Sequence, residues 1–420
     1  VSDVDAYALS LLIYNATLLP VIFVSVFFVL LVCLSRVAGW QRIEHKGDIG
    51  TPFITVQVPA YNDPVAARCV EHCLRFDYPK DKFEIQLVDD STNQKTRALL
   101  ESLAAAHPDL IRYVRRDNRR GFKPGALQEA TKHARGEFIV LFDADWIPQP
   151  AFLREIIKPF VDPNVAYVQS RQSFYNQTTN LISRFASYLL MIYHTLTMPI
   201  NNRINCVFFC GTGGAIRRSA FEAIGGWNTN SLTEDSDLTV RMLAKGYKSV
   251  YLPFETPSEV PDTFEAFLKQ QLRWGYGNAR VFFDHWKTIL FGPKLTLLQR
   301  GMMGFITISN GTAFIVLVMT VAGMLGWFLG DPKLLTLGDF WKFSGNIVLT
   351  GGFLFAGLVT LATRRQWREM PHFVLAALTM GILLSGTMIV AFTKAALNKP
   401  LVWECTPKVA NENVLPDEYS

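Results

Sequence analysis

The sequence predicts an α/β unit with a mostly parallel sheet, carried between membrane-spanning helices. From about Thr51 to Glu255, short β-rich runs (53–58, 84–88, 111–114, 138–142 and 166–169) alternate with amphipathic stretches such as 65–74 and 125–133. Long uncharged apolar runs flank that region on both sides. The composition suits such a mixture: of 420 residues, 50% are hydrophobic and only 18% charged, with 31 Phe. Strand–helix alternation implies parallel strands with helices on both sheet faces, and function then collects at the carboxyl ends of the strands. The net charge of +5 is a mild basic excess of the kind found on cytoplasmic loops, and it supports no nucleic-acid partner.

Residues 9–34 carry no charged side chain and are long enough to span a hydrocarbon core of ~30 Å. A signal peptide would carry bases before its apolar run. Here Asp3 and Asp5 precede it and Arg36, Arg42 and Lys46 follow, which predicts a cytoplasmic domain next. Residues 181–198 and 263–290 mix aromatic and apolar residues with scattered bases, the pattern of helices lying in the headgroup plane; ordinary packing helices would read similarly. Three more uncharged runs follow, at 301–330, 346–363 and 373–393, with the basic loop Arg364-Arg365-Gln366-Trp367-Arg368 between the last two. Four spans would put the C-terminus outside. The six Cys include two Cys-x3-Cys pairs, but no His pair completes a zinc set, so they read as reduced thiols.

Chemistry-bearing residues gather in five places. Val88-Asp89-Asp90-Ser91 and Leu141-Phe142-Asp143-Ala144-Asp145 both end apolar strands in paired acids. Alternate strand residues share a face, so Asp143 and Asp145 are expected to point together, a set suited to a divalent cation completed by phosphate oxygens. The basic, Gly-containing turn 116–125 leads into a helix whose N-terminus and Lys123 could face a diphosphate; a solvated loop is the competing reading. Leu232-Thr233-Glu234-Asp235-Ser236-Asp237 precedes an amphipathic helix, where Thr233 or Asp235 could serve merely as an N-cap. Gln270-Gln271-Leu272-Arg273-Trp274 offers a cation for phosphate and a flat ring for a sugar.

In this order and at these separations, Asp-Asp-Ser, Asp-x-Asp, Thr-Glu-Asp and Gln-Gln-x-Arg-Trp resemble family 2 glycosyltransferases of the branch holding cellulose synthases, cellulose-synthase-like mannan synthases, hyaluronan synthases and ceramide glucosyltransferases. Residues 116–127 and 142–152 are most similar to the mannan-synthase group, and Phe208-Phe209-Cys210-Gly211-Thr212 to the acceptor strip of cellulose synthases. The resemblance implies a GT-A type, Rossmann-like cytosolic domain (37–258). An N-terminal transmembrane helix (1–36) would precede it. Interfacial helices (259–298), about three transmembrane helices (299–397) and a C-terminal segment (398–420) would follow.

It also implies roles. Pro59, Tyr61, Asn62 and Asp89 or Asp90 would hold the nucleoside, and Lys123 would approach the diphosphate. Asp143 and Asp145 would place Mg2+ or Mn2+. Asp235 would be the general base, adjusted by Glu234. Gln270, Arg273 and Trp274 would bind the pyrophosphate and the terminal acceptor sugar, with Cys210 and Gly211 lining the acceptor site. Asp237, roughly 200° further round a helix, would face elsewhere.

The expected activity is inverting hexosyl transfer, with UDP-glucose the first donor and GDP-mannose the second. The product would be a processively built β-glycan or, alternatively, a glycolipid. Trp403-Glu404-Cys405-Thr406-Pro407-Lys408 is similar to a gating loop, though Thr-Pro-Lys replaces the usual Val-Thr-x-Lys. That loop is cytoplasmic in the family, in conflict with the four-span count.

Overall fold

In the computed structural model, residues 3–38, 47–330, 345 and 348–401 are described. The gating-like motif at 403–408 lies outside them. The sheet has seven strands among the described residues: β1 (Ile54–Ala60), β2 (Phe83–Asp89), β3 (Ile111–Arg115), β4 (Phe138–Leu141), β5 (Val165–Phe174), β6 (Gly214–Arg217) and β7 (Lys248–Ser258), in the order β3-β2-β1-β4-β6-β5-β7. All neighbours are parallel except β6, which runs antiparallel to both β4 and β5. The parallel α/β expectation holds for the first five strands, while β6 and β7 go beyond it.

Apolar residues of the strands divide between two cores. Val56, Val58, Ile85, Leu87 and Val140 pack with Cys69, Val70 and Cys73 of the Ala66–Leu74 helix and with Phe152 and Ile156. Ile139, Leu141, Tyr167 and Ile216 pack on the other face with Leu127, Phe221 and Leu238. The two central strands carry polar residues at alternate positions, and these pair across the ladder. Thr55 Oγ1 donates to Glu84 Oε1 and Gln57 Nε2 to Gln86 Oε1, each at 2.8 Å, and Arg135 closes on Glu84. Burial without those bonds would destabilise the sheet.

Among the described residues, three helices are long and apolar enough to cross a membrane: Asp5–Arg36, Leu297–Leu329 and Trp367–Ala396. The Asp3–Ala38 helix runs antiparallel to the Thr312–Leu329 helix, with Tyr7 against Gly330, Ser10 against Gly326 and Tyr14 against Gly323. It runs parallel to the Gly352–Thr363 helix, where Gly352 N–H donates to Ser25 Oγ at 2.8 Å and Arg36 Nη2 to Thr363 Oγ1 at 3.0 Å. That described helix has 12 residues, about 18 Å at the α-helical rise, so it is shorter than the span expected for 346–363.

The Met370–Ala396 helix is held at both ends. At its start, Glu369 pairs with Arg184 and accepts from Tyr188, both on the Leu181–Ile192 helix. At its end, Ala395 O accepts from Arg280 at 3.0 Å, and Leu401 packs with Tyr276 and Leu232. Both ends of this apolar helix thus meet helices packed on the α/β unit, and Leu401 lies against Leu232 of that unit.

Helix packing around Gly352 leaves no room for a side chain, because a Cβ there would sit 2.1 Å from Ser25 O. Gly352→Ala should force these helices apart and destabilise the protein by about 1–3 kcal/mol, read as a lower melting temperature in detergent.

Candidate active site

Strands β1, β2 and β4 are parallel, so their carboxyl ends share one edge of the sheet. Beyond that edge lies a cavity of about 370 Å³, within the range of small-molecule sites. Tyr61 enters it after β1, Asp90 after β2, and Asp143 and Asp145 after β4. Asp235 approaches from the Glu234–Lys245 helix, and Gln270, Arg273 and Trp274 from the Phe264–Phe291 helix. Asp143 and Asp145 lie in a turn past the end of β4, so strand alternation is not what aligns them. The Asp143 N–H donates to Thr212 Oγ1 at 2.8 Å. The Asp145 side chain accepts the Glu259 N–H at 3.0 Å.

Acid charge converges on Lys123 at the start of the Phe122–Thr131 helix. Its Nζ is 2.7 Å from Asp143 Oδ1 and 3.8 Å from Glu234 Oε1, and it donates to Gly211 O at 3.0 Å. Burial works against the ammonium, but Asp143 and Glu234 outweigh it and raise its pKa. Asp235 is shifted the opposite way for a carboxyl: burial, then the charge of Glu234, raises its pKa to about 7. The Ser236 N–H, Lys123 and Arg273 oppose that shift without cancelling it.

Two residues on, Asp237 is held below the usual carboxylate range. Burial pushes it up, but His285, Arg241 and Asn228 prevail. Asp237 therefore clamps the helix to His285 of the Phe264–Phe291 helix at 2.8 Å. Ser236 Oγ adds a bond to Asn278 Oδ1 at 2.8 Å. Thr233 is the N-cap, yet its side chain makes no capping bond; Asp235 Oδ1 instead accepts the Ser236 N–H of the first turn at 2.7 Å.

A family model described as "Glycosyltransferase like family 2" matches residues 51–277, which include the acids of both motifs, Lys123 and the Gln270–Trp274 segment. The chain belongs to glycosyltransferase family 2. Curated relatives include "Probable glucomannan 4-beta-mannosyltransferase 7" of Oryza sativa subsp. japonica, 35% identical over 62% of this chain and 46% of the relative. "Glucomannan 4-beta-mannosyltransferase 2" of Arabidopsis thaliana is 36% identical over 57% of this chain and 47% of its own length. The chain thus spans about half the length of the curated relatives it matches. Among solved structures, a mannosyltransferase from Pyrobaculum calidifontis in complex with GDP-Man and Mn2+ shares the fold, with a TM-score of 0.65 at 19% identity. That match covers 94% of this chain and 100% of the other.

Within this family 2 cavity, most of the sequence-predicted site residues come together, with three adjustments. Pro59, Tyr61, Asp90, Lys123, Asp143, Asp145, Cys210, Glu234, Asp235, Gln270, Arg273 and Trp274 line it. Asp89 does not; it is buried behind the edge, accepting from Tyr113 Oη at 2.6 Å and from the Ser91 N–H at 2.8 Å. Asn62 braces the neighbouring loop by accepting the Thr92 and Asn93 N–H groups, both at 2.8 Å. Gly211 sits against Asp235 rather than on the cavity wall.

The carboxylates of Asp143 and Asp145 are hard oxygen donors suited to Mg2+ or Mn2+. Among the described residues, no group of three or more His, Cys, Asp or Glu could hold a metal by itself. A cation here would take its remaining ligands from a diphosphate, which fits the donor set. Wall residues that the sequence did not single out as site residues include Arg119, and Tyr193 with His194 on a π-helical turn (Tyr193–Thr197) inside an apparently continuous helix. Burial, then Arg171 and Arg364, lowers the His194 pKa to about 3, so that ring is neutral at physiological pH.

Gly211 has φ +70°, and a Cβ there would lie 3.1 Å from Asp235 Oδ2. Gly211→Ala should displace the carboxylate and lower transfer by about tenfold or more while leaving the fold intact, read as kcat with circular dichroism as control.

Proposed function

We propose that the chain is an inverting β-mannosyltransferase that takes mannose from GDP-mannose and extends a β-linked glycan at the membrane, with its α/β unit in the cytoplasm. The observation that carries this reading is Asp235, a buried carboxyl with a pKa near 7, set in one cavity with Lys123, the Asp143/Asp145 pair, Arg273 and Trp274. UDP-glucose was the first expectation from sequence. The mannosyltransferase names of the relatives and the GDP-Man of the structural neighbour support GDP-mannose instead.

In this mechanism Trp274 supports the acceptor sugar and Asp235 takes the proton of its hydroxyl. The acceptor oxygen then bonds to the anomeric carbon as the bond to the diphosphate breaks in line, and GDP leaves with the electron pair. Asp143 and Asp145 would hold a divalent cation, Mn2+ or Mg2+, which supplies charge stabilisation to the leaving diphosphate. Arg273 and Lys123 add fixed positive charge around the same group. A single base opposite the leaving group gives inversion.

Purified protein in lipid with a panel of nucleotide sugars and Mn2+ should incorporate mannose from GDP-mannose into product that grows with time. Preferred use of UDP-glucose would overturn the donor assignment, and a single chloroform-soluble product would favour the glycolipid reading.

Because the Asp235 carboxyl is protonated below about 7, kcat/KM should rise with pH through that value. Asp235→Asn should lose transfer by about 10²–10⁴-fold, the usual share of a general base, with donor binding retained. The same shift has a stability sign: the folded state binds the extra proton between the ordinary value of 3.8 and about 7, so Asp235 costs stability as pH rises through that window. The Asn variant should therefore melt no lower than wild type at pH 8, and normal turnover by it would sink the base assignment.

A further inference from the structure

We propose that Arg119, laid over the ring of Tyr61, is a specificity-determining residue that reads the donor nucleobase and favours guanine over uracil. This rests on the GDP-donor reading above and deepens it.

Three cations near this end of the cavity, Arg115, Arg116 and Lys123, are committed to protein partners. Arg116 holds both oxygens of Asp90 and donates to the carbonyls of Arg120 and Phe122. Arg115 reaches Asp89 and Ser91 O, and Lys123 holds Asp143. Arg119 differs. Its Cζ lies 3.3 Å from the centroid of Tyr61 and 5.6 Å from that of Phe122, and its Nε is buried with no hydrogen-bond partner among the described residues. Arg119 and Tyr61 both line the cavity.

The sheet order shows which part of a nucleotide this pair would meet. Tyr61 follows β1 and Asp90 follows β2, whereas Asp143 and Asp145 follow β4 on the opposite side of β1. Neighbouring strands are about 4.8 Å apart. A diphosphate at the β4 end therefore places its nucleoside over the ends of β1 and β2, beside Arg119. A guanidinium fixed by a ring keeps its N–H donors in a defined plane, so little freedom remains to be lost on binding. Guanine offers two adjacent acceptors, O6 and N7, which match that fork in a bidentate way. Uracil has no such adjacent pair.

The test is calorimetric titration of GDP and of UDP, each with Mn2+, into the full chain in detergent, for wild type, Arg119→Met and Arg119→Lys. Arg119→Met should weaken GDP by about 10- to 100-fold and UDP by less than about threefold, with Arg119→Lys failing to restore GDP because an ammonium lacks the fork. Unchanged melting curves would show that the variants fold. Equal weakening of GDP and UDP would mean a phosphate contact and overturn the proposal. Unaltered GDP binding, or full rescue by Lys, would overturn it as well, while leaving the donor reading standing. A wild-type protein that binds neither nucleotide would overturn the donor reading and this proposal with it.

Discussion

Asp143, Glu234 and Asp235 are gathered around one ammonium, that of Lys123, in a cavity largely withdrawn from water. Even with Arg273 also acting on Asp235, burial and the charge of Glu234 prevail there, because like charges repel strongly at low dielectric and burial penalises the ionised form. The imbalance falls on Asp235. Asp237 sets the contrast: it lies two residues away on the same helix and is also withdrawn from water, yet His285, Arg241 and Asn228 hold its pKa below the usual carboxylate range. Neighbours, not position in the segment, separate a carboxyl poised near neutrality from one that serves as a structural anchor. The helix needs both, since the anchored acid fixes the backbone that presents the strained one.

That anchoring comes from outside the α/β sheet. His285 and Asn278 belong to the Phe264–Phe291 helix, which also brings Gln270, Arg273 and Trp274 to the cavity. Gly277 of this helix lies so close to Thr233 that a Cβ would come within 2.3 Å of its side chain. Farther along, Gly275 faces Met388 and Ala391 of the Met370–Ala396 helix. The loop before that helix docks on the sheet, where Arg364 and Arg171 both pair with Glu255 of β7. The site is thus framed between the strand edge and the apolar helices, and neither half alone would hold Asp235 opposite Trp274.

Much of this was legible in the sequence, for identifiable reasons. β1, β2 and β4 were readable because central parallel strands are short apolar runs, and their terminal acids marked the edge. β6 spans only four residues and begins with Gly214, so it carries no period to detect. The Asp-x-Asp pair does line the cavity, but its alignment arises from a turn held by Thr212 and Glu259, contacts distant in sequence. The choice between Asp89 and Asp90 was equally out of reach, because it depends on where β2 stops, and a one-residue change in that point exchanges the acid that lines the cavity with the one behind it. Hydropathy identified the apolar 373–393 segment but not the docking of both its ends. Arg119 sits among Arg116 and Arg120 with nothing in the sequence to set it apart; only the ring beneath it does.

The cavity wall is also mixed in character, and this bears on how a soluble donor could meet an acceptor at a membrane. The β1 and β2 end is walled by Tyr61, Asp63, Asp90 and Arg119, all carrying polar or charged groups. The cavity wall also includes the apolar side chains of Leu190, Phe208, Trp274 and Ile306, the last within the Leu297–Leu329 apolar run. Lys123, Asp143 and Asp235 line the same cavity. In the proposed reading, a charged nucleotide enters where its charges are matched, and the apolar faces of an acceptor sugar stack on the apolar part of the wall. Asp235 lines this cavity and owes its raised pKa first to burial, so in that reading the packing that would receive the acceptor also bears on the strength of the base.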